Sequence, residues 1–578
     1  MSKIGNEPNK PPKYRWYICM FVGLLSVLTA VIGVNWSYFS NKLRPGEFVV
    51  AANAKEPGTT QILSRPNVGK TLVPVVKRLK KKGAGNNTAS YCVAPSAAIL
   101  AKRNLNQIAV GTSVGYLKNA EYRRPYEPRH APLTKRELKA AKIAWSYFER
   151  YTQETTGLVN SVGKYPSTTM WDTASYVSGL VAAYELCLID KFEFDRRMYK
   201  MLKTFRKIDL FRHELPNKVY HTKTGAKVNY GNKKGEIGFS ALDIGRFLVW
   251  MRIVRNRYPY FGNTIDNMLL RWDFSNVIDD EGTLYGAILS KGKGKGKTKS
   301  KGRKKTIYIQ EGRLGYEEYA AKGFALWGLI PRKAHRAAPY KTAEIYGVQV
   351  PYDGRDPRIF ESQNYVVTEG YILDGLELNW DLPQDNNSSD RVHSDGWRAE
   401  FADRIYLAQE RRFLREGYLT ARSEHNVKGK PYFVYDTIFS GGYAWNTVTP
   451  RGKYSPNFSA VSTKAAFGMW ALWKTEYTDK LIDAVINLYD PKKGMYEGLY
   501  EKGQRPIEIF TANNNGILLA ALLYKVQGKI LTEPRKGAEI WYTAYKDRTI
   551  RKDRNLPDPP TAKTGLVAIR LPVNGEWQ

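Results

Sequence analysis

RLGYEEYAAKGFALWGL, residues 313–329, decides how the rest of the chain is read. After the adjacent acids Glu317 and Glu318 it runs through Ala320, Ala321, Gly323, Phe324, Ala325, Leu326 and Trp327, with Lys322 as its one charge. A surface helix sets an apolar stripe against a polar face. This segment is apolar or small on nearly every side, so it reads as a helix surrounded by other elements. Carboxylates are tolerated in the first turn of such a helix, where they either complement its dipole or line the floor of a cleft. Neighbours on a helix diverge by about 100°, so Glu317 and Glu318 cannot both face one cavity.

The same inner character returns along the chain. Residues 170–189, 238–253, 366–378, 460–473 and 512–526 are apolar or small almost throughout, whereas 135–154, 194–210, 262–274, 397–418 and 478–488 are amphipathic. Six inner segments, five of them paired with an amphipathic outer one, read as six helical hairpins in sequence and predict an all-α, closed (α/α)6 toroid, because a ring buries the inner layer without leaving edges. An open α-solenoid is the alternative. Its terminal repeats would need polar caps, and the first and last inner segments here are as apolar as the middle ones.

The 578 residues, 43% of them hydrophobic, can bury one very large core or two ordinary ones and exclude a disordered protein. Residues 17–39 form an apolar run with Trp16, Tyr17, Trp36 and Tyr38 at its ends, about the ~20 residues a bilayer requires. A cleaved signal peptide is the rival reading, but its best site, Ala52-Asn53-Ala54, lies far beyond an apolar run too long for such a signal. Lys3, Lys10, Lys13 and Arg15 precede the run and Lys42 and Arg44 follow it, a bias toward a cytoplasmic N-terminus. The expected organisation is therefore a cytoplasmic tail and one transmembrane helix (1–40), an irregular, extended spacer that could wrap the barrel (41–130), the toroid (131–535) and a C-terminal extension (536–578). That is a single-pass protein of a bacterial inner membrane with its main domain in the periplasm.

The net charge is +35, and residues 291–305, KGKGKGKTKSKGRKK, supply nine positive charges. Glycine alternation and like-charge repulsion make this tract a loop. Outside the cytoplasm its polyanions would be lipid headgroups, lipopolysaccharide or an acidic polysaccharide, with no nucleic acid; a solvated insertion without a partner is the bland alternative. Cys19 lies in the apolar run, leaving Cys92 and Cys187 as one possible disulfide. The six histidines never fall at metal-ligand spacing and no CxxC or HExxH occurs, so neither a metal site nor a cofactor is expected.

TTGLV (155–159), PSTTMWDTASYVSGLVAAYELCLI (166–189), SALDIGRFLV (240–249), LGYEEYAAKGFALWG (314–328), STKAAFGMWAL (462–472) and GMYEGLYEKGQRPIEIFTANNNGILLAALLY (494–524) carry a resemblance. Together they are similar to a bacterial cell-envelope family of unknown function, DUF3131, itself distantly similar to the glucoamylase-like domains of cyclic glucan synthases. The resemblance runs from near residue 140 to near 530 and implies an (α/α)6 barrel and glycan chemistry, without an established reaction. The lysine-rich insertion departs from it.

In a toroid the inner helices point the same way, so their starts gather on one face. Glycosidic cleavage needs two carboxyls in different environments, one holding a proton for the leaving oxygen and one ionised. Glu317, Glu318, Glu369 and Asp172 are the catalytic candidates. Asp243, Trp171, Tyr316, Trp445, Asn513, Asn514 and Asn515 are the substrate-binding ones, the aromatics as platforms for sugar rings and the amides for hydroxyls. Each has a structural alternative: Asp172 and Asp243 follow Thr and Ser in capping contexts, and the asparagine run could simply start its helix.

The expected function is a membrane-anchored periplasmic glycan-active enzyme, a glycoside hydrolase or transglycosylase on an envelope or exported polysaccharide. The alternatives are a polysaccharide lyase on an acidic glycan, or a non-catalytic glycan-binding or assembly protein beside an envelope glycosyltransferase. The anchor has its own test. Full-length protein should stay in the membrane fraction through a carbonate wash, with its C-terminus reached by protease only once the outer membrane is opened. A soluble product beginning near Lys55 would refute the anchor.

Overall fold

Thr134 opens the first helix with a reciprocal cap, its hydroxyl accepting from Glu137 N while Glu137 Oε2 accepts from Thr134 N at 2.8 Å. That helix, α1 (Lys135–Tyr151), begins the part of the chain that the computed structural model describes: residues 126–290, 304–337, 339–355, 365–381 and 396–533. All of these lie in one compact unit. The apolar run 17–39, the spacer up to residue 125, most of the lysine tract and the extension 536–578 lie outside the described residues. Among the described residues no helix is long and apolar enough to cross a membrane.

Six helices form the inner layer: α2 (Met170–Glu185), α4 (Ala241–Arg257), α6 (Glu317–Ala325), α7 (Glu369–Leu378), α9 (Thr463–Leu472) and α11 (Ala512–Gln527). Outside them lie α1, α3 (Lys191–Phe205), α5 (Gly262–Leu269), α8 (Trp397–Glu416) and α10 (Glu476–Val485). Burial follows the sequence pattern. Every residue of α4 and α9 is buried, whereas α3 buries only Phe194, Met198, Met201, Leu202 and Phe205. The ring runs α11 on α2, α2 on α4 and α4 on α6, then α7 on α9 and α9 back on α11. Between α6 and α7 the backbones meet at Gly370, where a Cβ would stand 2.8 Å from Gly315 O, and the Tyr319 hydroxyl donates to Glu377. Closure therefore holds, and the first and last inner helices pack directly together.

The structure departs from the all-α expectation in its connections, where short antiparallel strands pair, among them Tyr285–Leu289 with Thr306–Gln310. Where a fourth outer helix would sit, an antiparallel hairpin pairs Tyr340–Ile345 with Val348–Asp353. Its sequence alternates, and its two-residue turn, Tyr346 and Gly347, has φ of 52° and 75°, the paired left-handed turn that suits a hairpin's twist. Short antiparallel strands also precede inner helices: Ala460–Ser462 pairs with Gly498–Tyr500, so α9 starts three residues later than its apolar run.

The described end of the spacer crosses the opposite face, with Arg129 N donating to Ala471 O and Ala131 N to Lys525 O. Cys187 is disulfide-bonded. No second cysteine falls among the described residues, so the expected pairing with Cys92 rests on a residue outside them.

Close approach of α4 and α6 depends on glycine. A Cβ on Gly245 would lie 2.5 Å from Ala320 O, and one on Gly323 would strike the Gly245 carbonyl. Gly245→Val should therefore cost on the order of 3 kcal/mol in denaturant unfolding, because backbone has to move. Gly262→Ala, whose nearest neighbours stand 3.8 Å away, should leave the midpoint unchanged or raise it.

Candidate active site

The starts of all six inner helices lie on one face, where their positive dipole ends favour carboxylates. Three of the helices are opened by hydroxyls: Thr169, Ser240 and Thr511 accept from the backbone N–H of Asp172, Asp243 and Asn514. Because the hydroxyl does the capping, the first-turn acids Asp172 and Asp243 are left to make other contacts. Asp172 Oδ2 accepts from Ser161 Oγ at 2.6 Å and Thr169 Oγ1 at 2.7 Å, while Oδ1 has no hydrogen-bond partner among the described residues. Burial pushes this carboxyl up to about 7, with the two hydroxyls only partly offsetting it.

Glu369, the first residue of α7, is held differently. Its Oε1 accepts from Trp171 Nε1 at 2.9 Å and Asn513 Nδ2 at 2.8 Å, and the Lys464 ammonium pairs with Oε2. Burial alone would raise it, but Lys464 and Arg246 prevail and hold it below the ordinary carboxylate range. Glu497 is the third acid. Its Oε1 accepts from the Thr511 hydroxyl, its Oε2 has no hydrogen-bond partner among the described residues, and burial pushes it up to about 7, with Glu369 and Asp172 adding to the effect of burial and Lys464 opposing it. One ionised carboxylate and two acids that keep their protons toward neutrality thus share one electrostatic neighbourhood.

The wall is aromatic and cationic. Trp171 packs on Tyr316 with centroids 5.4 Å apart, and Arg246 lies 4.5 Å over the Trp171 ring. Asn513 Oδ1 accepts from Arg246 Nη1 at 2.9 Å and Ser175 Oγ at 2.8 Å, which turns its amide nitrogen toward Glu369. Tyr316 donates to Glu424, which also accepts from Ser423 Oγ at 3.2 Å. Among the described residues no group of three or more His, Cys, Asp or Glu is arranged to hold a metal ion.

Of the sequence candidates, the structure brings together Asp172, Glu369, Trp171, Tyr316 and Asn513. Glu317 and Glu318 belong to another set of contacts: Glu317 Oε2 accepts from Arg355 Nη1 at 2.7 Å, with Asp353 on the same guanidinium, and Glu318 Oε2 accepts from Gly315 N at 2.7 Å. Burial and the neighbouring Glu317 raise Glu318 to about 8. Asp243 sits beside Glu311, and burial together with that acid raises it well above its usual value. Asn514 and Asn515 hold backbone, the first donating to Tyr496 O at 2.9 Å and the second accepting from Met495 N at 2.8 Å. Trp445 is half-buried under Arg412, 4.7 Å from its ring, and near Tyr346 of the hairpin turn. Glu497, Lys464, Arg246, Glu424 and Arg313 were not read from the sequence as site residues. Lys464 had a usable signal, being the one cation of its inner helix, whereas Arg246 shares its helix with Arg252, Arg255 and Arg257, and Glu497 lies in a glycine-rich turn that pattern alone does not separate from loop.

The family described as "Protein of unknown function (DUF3131)" matches residues 139–528. No curated protein matches the sequence. The structure is similar to that of a provisionally assigned glucoamylase from Bacteroides fragilis NCTC 9343, at 12% identity over 72% of this chain and 97% of that one, with a TM-score of 0.50. It is also similar to the endo-beta-1,2-glucanase from Chitinophaga pinensis, solved with sophorotriose and glucose, at 13% identity over 72% and 99% of the two chains and a TM-score of 0.49. At such identities the first likeness shows the fold, a glucoamylase-like helical toroid.

The raised acids have a thermodynamic signature. A carboxyl whose value is raised on folding contributes stability that is fully present below its unfolded value, near 4, and lost as pH rises through about 7. Asp172→Asn and Glu497→Gln should each remove part of that loss, so each variant gains on the wild type between pH 4 and pH 8 in denaturant unfolding. Parallel curves would contradict the raised values.

Proposed function

The chain belongs to the DUF3131 family, a membership that brings a fold without a reaction, and from that premise we propose that it is a glycan-active enzyme, a glycoside hydrolase or transglycosylase. The observation that carries this reading is the split in protonation between Glu369 and the acids Glu497 and Asp172. Glycosidic cleavage requires that division of labour. Glu497, with Oε2 unpartnered, is assigned as the general acid that protonates the departing oxygen. Glu369, ionised by Lys464 and fixed by Trp171 and Asn513, balances the positive charge that develops on the sugar ring. Asp172, with Oδ1 unpartnered, holds a sugar hydroxyl or the attacking water. Glu317 is assigned a structural role, since its charge is taken up by Arg355.

The apolar run 17–39 supports an anchor in the inner membrane with this domain in the periplasm, acting on an envelope or exported polysaccharide. The alternatives of a lyase or a silent binding protein give different products on the same panel. Full-length protein incubated with neutral and acidic polysaccharides should release new reducing ends without ultraviolet-absorbing unsaturated products. Glu497→Gln and Glu369→Gln should each lower turnover by ~10² to 10⁴-fold while binding persists, the range expected for acid–base and charge-stabilising groups. Glu317→Gln should mainly lower the melting temperature. Full turnover in both Glu497→Gln and Glu369→Gln would exclude this mechanism.

A further inference from the structure

Arg313 is buried, and among the described residues none of its Nε, Nη1 or Nη2 atoms has a hydrogen-bond partner. Its guanidinium lies 4.1 Å over the Tyr316 ring and 6.0 Å from the Tyr435 ring. The carboxylate nearest to it, on Glu424, stands 3.7 Å away with Oε1 already accepting from Tyr316 and Oε2 from Ser423. A buried guanidinium with every donor unfilled is among the least favourable arrangements a fold can retain. The two rings pack against it and accept none of its hydrogen bonds.

Beside it stands an aromatic cluster separate from the main core: Tyr365, Phe433 and Tyr435 with Val448, and half-buried Tyr230 against them. Tyr365 and Tyr435 have centroids 4.5 Å apart at 30°. This cluster adjoins the carboxylate site through a short chain of contacts, Arg313 on Tyr316, Tyr316 on Trp171, and Trp171 Nε1 on Glu369. Flat rings next to an empty planar fork match one chemistry, a sugar ring that carries a planar two-oxygen anion.

We propose that Arg313, with Tyr316, Tyr365 and Tyr435, forms a subsite for the carboxylate of a uronic acid residue, so that the glycan taken by this enzyme is acidic. The inference rests on the glycan-active reading above and adds the substrate class to it. The sugar ring packs on the tyrosines, and its carboxylate fills the fork that Glu424 leaves open. A neutral hexose would leave all the Arg313 donors unfilled and lose that contribution.

The test measures binding separately from turnover. Full-length protein is titrated with oligoglucuronate, oligogalacturonate and oligomannuronate, each beside the neutral oligosaccharide made by reducing its carboxyls. At least one oligouronate should bind roughly 10- to 100-fold more tightly than its reduced form, the range for hydrogen bonds to a charged group. Arg313→Met should remove that preference. Arg313→Lys, which keeps the charge and loses the fork, should retain only part of it, and this variant carries the test if the methionine variant does not fold. Equal affinity for acidic and reduced forms overturns the inference, as does a preference that survives in Arg313→Met or an absence of binding to all three oligouronates. Cleavage confined to neutral glycans would overturn it and leave the hydrolase reading standing. Arg313-dependent binding of an oligouronate without cleavage would support the subsite and remove the hydrolase reading.

Discussion

The structure depends on how one buried carboxylate is satisfied. Glu369 stands at the start of α7 and receives Trp171 from α2, Asn513 from α11 and Lys464 from α9. Four inner helices are thereby fastened at one point, and Arg246 from α4 reaches the same knot through Asn513. A carboxylate removed from water needs opposite charge and hydrogen bonds to stay ionised, and loss of one partner leaves the others exposed to the full desolvation cost. The requirement that folds the face is also the one that sets its chemistry. Lys464 is needed to pair Glu369, and once that charge is balanced the neighbouring Asp172 and Glu497 have only hydroxyl partners left, so burial raises them.

Deeper in the barrel the same constraint recurs in a different form. Glu377 accepts from Trp250 Nε1 at 2.9 Å and from Tyr319, Lys322 pairs with Asp381, and Arg398 binds Asp374. Asp374 is thus the buried partner of a basic group. Asp381 reaches its place through three successive left-handed residues, Asn379, Trp380 and Asp381, with φ of 50°, 55° and 54°. Non-glycine residues in that region are strained, so the turn is retained by what it positions. An axis of paired charges inside an otherwise apolar ring fixes which helix faces which, a specificity that apolar packing alone supplies weakly.

The fold was legible because its signals are local and repeated. Six apolar runs alternating with amphipathic ones point to a two-layer ring. The hairpin at 340–353 is not legible in the same way because its alternating pattern is brief and lies between two strong helical ones. The site was legible only in part. Position in the first turn of an inner helix selects Asp172, Glu369 and Asn513, which lie in one neighbourhood of contacts, and equally Glu317 and Asn515, whose partners are Arg355 and Met495 N. Helical spacing says which turn a residue occupies; it does not say which neighbour approaches it from a distant loop. Glu497 and Glu424 come from such loops, and their contribution is set by tertiary contacts that sequence order hides.

Charge acts here at two ranges. The net charge of +35 creates a field that can draw a polyanion toward the protein, yet ions at physiological strength screen exposed charges within about 8 Å. Such a field changes how often an acidic chain arrives and does little to decide which sugar is held. Discrimination has to come from a cation that is dry, fixed in orientation and short of acceptors, since only there is the interaction unscreened and geometrically selective. Arg313 meets those conditions, whereas Arg355 and Arg422 do not, because Glu317 and Asp353 fill the first and Asp436 and Glu501 the second. The difference lies in unfilled donors, and those are what a bound anion can use.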